Sequence, residues 1–197
     1  MPAAIKPKPK TPSWADLYRL AEGQHGYFTT EQARSTGFST HLLYHHIKAG
    51  RVARAVRSVY RLVHFPTSEH EHLVVVWLWS KTQGVFGHET ALLLHELSDA
   101  LPETIHLIVP PSWQQRRLQP PRGVRLTFAT VPSQDRTWHG AIPVTKPART
   151  LRDVAAAEAP PDIVADAYHQ GLRRGQFAKS EVPEVVNYLR TFGRLRR

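Results

Sequence analysis

The 197-residue chain has no cysteine. That excludes a disulfide scaffold and a thiolate zinc site, and argues against a small secreted domain stapled by bridges. Long apolar runs are lacking as well. The longest, Leu73 to Trp79, is far short of the roughly 20 apolar residues a bilayer-spanning helix needs. The first ten residues, MPAAIKPKPK, lack the apolar core of a signal peptide. The cytoplasm is therefore the expected location, with no membrane partner. Acid is scarce: 16 Asp and Glu stand against 26 Lys and Arg, a formal net charge of +10. Such a balance implies an anionic partner, nucleic acid before an acidic membrane surface. What is present in ordinary amount is hydrophobic residue, 41% of the chain, enough for a real core.

Residues 1–12 alternate Lys and Pro and read as a disordered basic tail. Order is expected from Ser13. Ser13 and Asp16 form a capping pattern, with Trp14, Leu17, Leu20 and Ala21 at helical spacing behind them. Gly23 and Gly26 stop that helix, and Thr29 with Gln32 makes a capping box for a short second one that ends at Gly37. Ser39 caps a third helix, from Thr40 to about Ala49, closed by Gly50. Three short helices punctuated by glycines form a helix-turn-helix pattern. The period then changes to two: 52–56 and 59–63 read as strands joined at Arg57-Ser58, which makes a wing. Pro66-Thr67-Ser68 marks the expected boundary, giving a winged helix-turn-helix domain over 13–65 and a second domain over 66–197.

The second domain reads as a helix capped by Ser68, a helix over 88–97, strands at 104–109, 124–131 and 141–144, and helices at 147–157, 162–172 and 179–189. The expected class is α+β: a winged helix-turn-helix followed by an α+β domain whose small sheet is flanked by helices.

From Gln32 to Ser68 there is no Asp or Glu, while Arg34, Lys48, Arg51, Arg54, Arg57 and Arg61 all fall there. This is clustering, not a diffuse surface charge, and it is the footprint of phosphate binding. In the third helix Leu43 and Ile47 share one face and should point inward. Thr40, His41, Tyr44 and His45 then point outward and are the candidates to read base edges in a major groove. Lys48, Arg51, Arg54, Arg57, Ser58 and Arg61 are the further candidates for DNA contact, Lys48 to a phosphate and the wing arginines Arg54, Arg57 and Arg61 to flanking phosphates or the minor groove. His41 and His45 have no third ligand in view, so no metal site is assigned there.

At this point the residues resemble a known family. Gly26 to Ala33 (GYFTTEQA), Gly37-Phe38-Ser39, Gly50-Arg51-Val52 and Arg57-Ser58-Val59-Tyr60-Arg61 resemble the winged helix of AbiEi-type antitoxins. Family members usually carry Gly at the wing tip, where this chain has Ser58. Gly87 to Leu92 (GHETAL), His95-Glu96-Leu97 and Ile142 to Ala155 (IPVTKPARTLRDVA) resemble the second domain of that family. The resemblance implies an antitoxin that represses its own promoter by binding repeats in double-stranded DNA. It also implies a nucleotidyltransferase-like toxin as partner, countered without a stable complex. No cofactor is expected. Thr145, Pro147, Arg149, Thr150 and Asp153 carry the signature of the second domain. They also have a plain structural reading: Thr145 caps a helix that begins at Pro147, and Arg149 pairs with Asp153 one turn on.

Enzyme readings find little. His88-Glu89 and His95-Glu96 place two histidines on one helix face, but Asp99 stands where a zincin helix needs its second histidine. No nucleophile elbow, Gly-rich phosphate loop or kinase signature is present. Glu158, Asp162 and Asp166 lack the strand with a trailing Lys that a nuclease would pair with them. No catalytic residue is assigned. The alternatives kept open are a DNA-processing enzyme targeted by the winged helix, and a module in which the winged helix binds another protein.

Overall fold

A computed structural model of the chain describes residues 11–99 and 102–195. The expected tail over 1–12 thus falls almost wholly outside the described residues, as do Arg196 and Arg197. The chain divides into two compact units, Met1–Thr82 and Gln83–Arg197.

The first unit contains α1 (Trp14–Glu22), β1 (Tyr27–Thr29), α2 (Thr30–Ser35), α3 (Thr40–Lys48), β2 (Val52–Val56), β3 (Val59–Leu62) and α4 (Glu71–Trp79). Each of the first three helices begins on a side-chain cap. Ser13 Oγ accepts from Asp16 N at 3.2 Å, Thr29 Oγ1 from Gln32 N at 3.1 Å, and Ser39 Oγ from Leu42 N at 3.1 Å. Gln32 Oε1 returns a bond to Thr29 N at 2.8 Å, which completes the capping box read from the sequence. The helices close over Leu17, Ala21, Phe28, Ala33, Phe38, Leu43, Val52 and Leu62.

The wing sheet has three strands, not the two expected. Its order is β1-β3-β2, with β1 and β2 each antiparallel to β3. Gly26 makes the extra strand possible. It sits at φ +84°, and a Cβ there would fall 2.5 Å from the Cβ of Phe65.

The fourth helix corrects two expectations. It starts at Glu71 behind His70, without a side-chain cap, and Ser68 contributes only its carbonyl, to Glu71 N at 3.3 Å. It also packs against all three wing strands. The division of the chain therefore falls after Thr82, later than the Pro66-Thr67-Ser68 boundary.

The second unit contains β4 (Val85–Phe86), α5 (His88–Leu94), β5 (Ile105–Val109), β6 (Val124–Phe128), β7 (Arg136–His139), β8 (Ile142–Thr145), α6 (Pro147–Ala156), α7 (Pro161–Arg173) and α8 (Pro183–Thr191). The five strands form one mixed sheet in the order β6-β5-β4-β8-β7. The pairs β5·β6 and β4·β8 are parallel, and β4·β5 and β7·β8 antiparallel. Proline opens α6, α7 and α8, where its missing N–H costs nothing. These helices bury Leu151, Val154, Val164, Tyr168, Val185 and Leu189 together with Leu92 of α5. Strands β4 and β7 are additions to the expected set. The last helix starts at Pro183, after a single 3-10 turn at Lys179–Glu181. The chain is thus α+β, a winged helix-turn-helix followed by a mixed sheet with helices.

Candidate nucleic-acid interface

The third helix has one dry face and one wet one. Leu43 and His46 are buried, and Leu42 and Ile47 flank them. Thr40, His41, Tyr44, His45 and Lys48 are all exposed, in a stripe at helical spacing. Tyr44 is 57% exposed, uncommon for so large a ring, and Lys48 Nζ lies 4.8 Å above its centre. Behind the stripe, His46 fits against the edges of Trp14 and Phe38, with ring centres 4.7 and 5.8 Å away. One contact that the sequence did not show belongs here. Arg34 of α2 donates from Nη2 to Thr40 Oγ1 at 3.1 Å, which ties the exposed start of α3 to the preceding helix.

The basic residues of the wing divide into two groups. Arg51, Arg54 and Arg57 are exposed. Arg54 makes one weak internal bond, to the Val56 carbonyl at 3.4 Å, and Arg51 and Arg57 have no side-chain partner among the described residues. Arg61 differs from the expectation. It lies on the central strand, donates to the Phe65 carbonyl at 2.8 Å, and pairs with Glu71 of α4 at 3.6 Å. Its side chain is only 18% exposed. An arginine held this way braces the wing sheet and α4 and has little reach toward a phosphate.

Ser58 closes the wing turn at φ +66°, in the left-handed region. Its carbonyl accepts from Thr30 N at 3.0 Å, so the turn is anchored to the start of α2. A side chain in this conformation costs about 1–2 kcal/mol relative to glycine. Ser58→Gly is therefore expected to raise the stability of the first unit by about 1 kcal/mol, read as a higher urea midpoint at unchanged slope. A lower midpoint would contradict the strained turn.

The polar signature residues of the second unit fall into two side-chain networks, one around Thr145 and Thr150 and one around Arg149. Thr145 does not cap α6, whose N-cap is Lys146. Thr145 is fully buried and its hydroxyl donates to Thr150 Oγ1 at 2.6 Å. The single Thr150 proton is left to the carbonyls of Thr145 and Lys146, each at 3.0 Å. His95 Nε2 donates to the Thr145 carbonyl at 2.7 Å, tying the end of α5 to β8. Pro147 opens α6, and Arg149 bonds Asp153 at 2.8 Å through Nε and Asp135 at 3.0 Å through Nη1. Asp135, absent from the sequence reading, is thus a partner of the segment. His88 and His95 do not act as a pair: His88 stands beside His106, with ring centres 5.1 Å apart. Among the described residues no group of three or more His, Cys, Asp or Glu is placed to hold a metal ion, and no helix is long and apolar enough to cross a membrane.

Four histidines are held below their ordinary pKa, in each case chiefly by burial: His46, His88, His95 and His106. Arg51 and His45 add to the effect at His46. Unfolded, all four titrate near about 6.5. Below that value the unfolded chain takes up protons that the folded chain refuses. The stability they allow is therefore complete above about pH 6.5 and is lost as the pH falls through the lower folded values. The melting temperature is expected to be flat near pH 7–8 and to fall steadily from about pH 6.5 to 5. His46→Leu, which also removes a buried Nδ1 with no hydrogen-bond partner, should flatten part of that slope. An unchanged slope in this variant would remove His46 from the account.

Three short helices, the third capped by Ser39, and a three-stranded wing sheet give the first unit the architecture of a winged helix-turn-helix. Residues 16–63 match the model of a family described as transcriptional regulator, AbiEi antitoxin. That match runs from within α1 to just past β3 and includes every candidate DNA-contact residue. Among solved structures the chain is similar to the crystal structure of the RV2827C protein from Mycobacterium tuberculosis, with a TM-score of 0.54 and 13% sequence identity, over 93% of this chain and 75% of that one. At that identity the likeness is one of fold. No curated protein sequence matches the chain.

Proposed function

We propose that the first unit binds double-stranded DNA, with α3 in the major groove and the wing against the flanking backbone. Thr40, His41, Tyr44 and His45 meet base edges, and Lys48, Arg51, Arg54, Arg57 and Ser58 meet phosphates. The observation that carries this reading is the exposed stripe on α3 beside three exposed wing arginines, in a stretch without a carboxylate. Two copies bind inverted repeats in the protein's own promoter and repress it. The second unit, with its Thr145–Asp153 segment, supplies the antitoxin function against a nucleotidyltransferase-like toxin, without a stable complex. These finer assignments rest on the family matched by residues 16–63 and on the resemblance of the later segments.

The test is a gel-shift titration of the full chain on DNA from upstream of its own reading frame and on the same DNA shuffled, at about 50 and 200 mM salt. Preferential binding that weakens with salt is the expected result. Equal binding to both DNAs would remove the repressor assignment, and the absence of any binding would remove the DNA-binding reading.

A further inference from the structure

A cleft in the first unit, lined only by residues of that unit, has a volume of about 670 Å³. This lies inside the range of small-molecule sites, roughly 300–1,000 Å³. It is walled by the start of α2, the wing turn and the end of α4. Val59, Leu78 and Trp79 are the apolar residues of its lining. Three cations line it as well, Arg34, Arg57 and Lys81, against one carboxylate, Glu31. Arg57 and Lys81 have no side-chain partner among the described residues, and Arg34 donates only to Thr40.

The backbone supplies an independent observation. Seven described non-glycine residues adopt a left-handed φ, and three of them, Ser58, Lys81 and Thr82, line this cleft. Strained conformations persist where the surroundings hold them, and they concentrate at ligand clamps.

We propose that this cleft binds a small phosphorylated aromatic molecule of the mononucleotide class. The donor set matches such a ligand part by part. Guanidinium groups take phosphate oxygens in bidentate fashion. An indole offers a stacking face to a base. The lone carboxylate accepts from ribose hydroxyls. A bare phosphate would leave the indole unused, and an uncharged apolar ligand would leave three cations unanswered. Arg57 is also a wing contact in the proposed DNA complex, so ligand and DNA compete for it and the ligand acts as an inducer. This coupling rests on the DNA-binding reading, whereas the site itself does not.

The experiment is calorimetric titration of the full chain with ATP, adenosine and inorganic phosphate. ATP is expected to bind with a dissociation constant below about 1 mM and more tightly than either fragment. Trp79→Ala should weaken ATP by about 10-fold, with Trp79→Phe retaining most of the affinity and showing that the fold is intact. Lys81→Ala should weaken ATP several-fold, about 3–10, and leave DNA affinity unchanged. No saturable heat with ATP or GTP up to about 1 mM would overturn the site. So would phosphate binding as tightly as ATP, or a Lys81→Ala effect seen on DNA and not on ATP. ATP that binds without displacing DNA would overturn the coupling and leave the site standing. A chain that binds ATP and no DNA would count against the proposed function alone.

Discussion

Replacing Lys48, Arg54 and Arg57 together by alanine is expected to weaken operator binding by about 100-fold at roughly 0.15 M salt. Each neutralised phosphate contributes about 0.9 to the slope of log K against log salt, so three lost contacts lower that slope by roughly 2.7. Extrapolated from about 1 M to 0.15 M salt, this corresponds to the stated loss. The same three changes should weaken shuffled DNA as much, because a phosphate carries no sequence. His41→Ala and Tyr44→Ala should do the opposite. They leave the slope alone and reduce the preference for the natural operator by about 5- to 100-fold, the usual weight of one base-edge contact. Arg61→Ala separates a bracing arginine from a binding one. It should lower the stability of the first unit by breaking the Glu71 pair and leave the salt slope unchanged. A drop in slope with Arg61→Ala, or no loss in the triple variant, would refute the division of the basic residues made above.

The second large effect lies away from the interface. Arg149→Ala is expected to destabilise the second unit by roughly 2–4 kcal/mol, because it strips two partly buried carboxylates of their cation at once. Asp153 loses a 2.8 Å bond and Asp135 a 3.0 Å bond, with Arg152, 3.6 Å from Asp135, as the nearest substitute. Arg149→Lys should recover little. Two carboxylates are engaged through two different nitrogens of a planar fork, and a single ammonium cannot reproduce that geometry. Urea unfolding of the wild type and both variants decides the matter, and a loss below about 0.5 kcal/mol for Arg149→Ala would reduce the pair to surface decoration.

Much of the first unit was legible because its punctuation is local. Ser13, Thr29 and Ser39 cap the helices from within three residues, and the spacing of Leu43 and Ile47 orients α3 without any tertiary knowledge. What was not legible depends on distant partners. Strand β1 is three residues long and exists because β3 pairs with it across 30 to 34 residues of sequence. Arg61 looks like any other wing cation until Glu71 is seen beside it. Helix α4 reads Glu-His-Leu-Val-Val-Val-Trp-Leu-Trp, apolar on nearly every face, so it carries no stripe to tell which neighbour it belongs to. A proline-bearing break before it was the louder signal and the wrong one. In the candidate site the outward stripe of α3 could be read from its period, whereas the Arg34 bond to Thr40 and the Asp135 bond to Arg149 require the fold.

The packing of α4 against the wing strands also bears on how this module travels between proteins. The stretch that matches the family ends at residue 63, yet the sheet it contains is covered from one side by a helix that starts at Glu71. A gene fusion or recombination event that cut between them would carry away the reading helix and wing but leave an apolar sheet face uncovered and Arg61 without its carboxylate. The compact unit that holds the matched stretch runs to Thr82, and a shorter graft would bring an aggregation hazard with it.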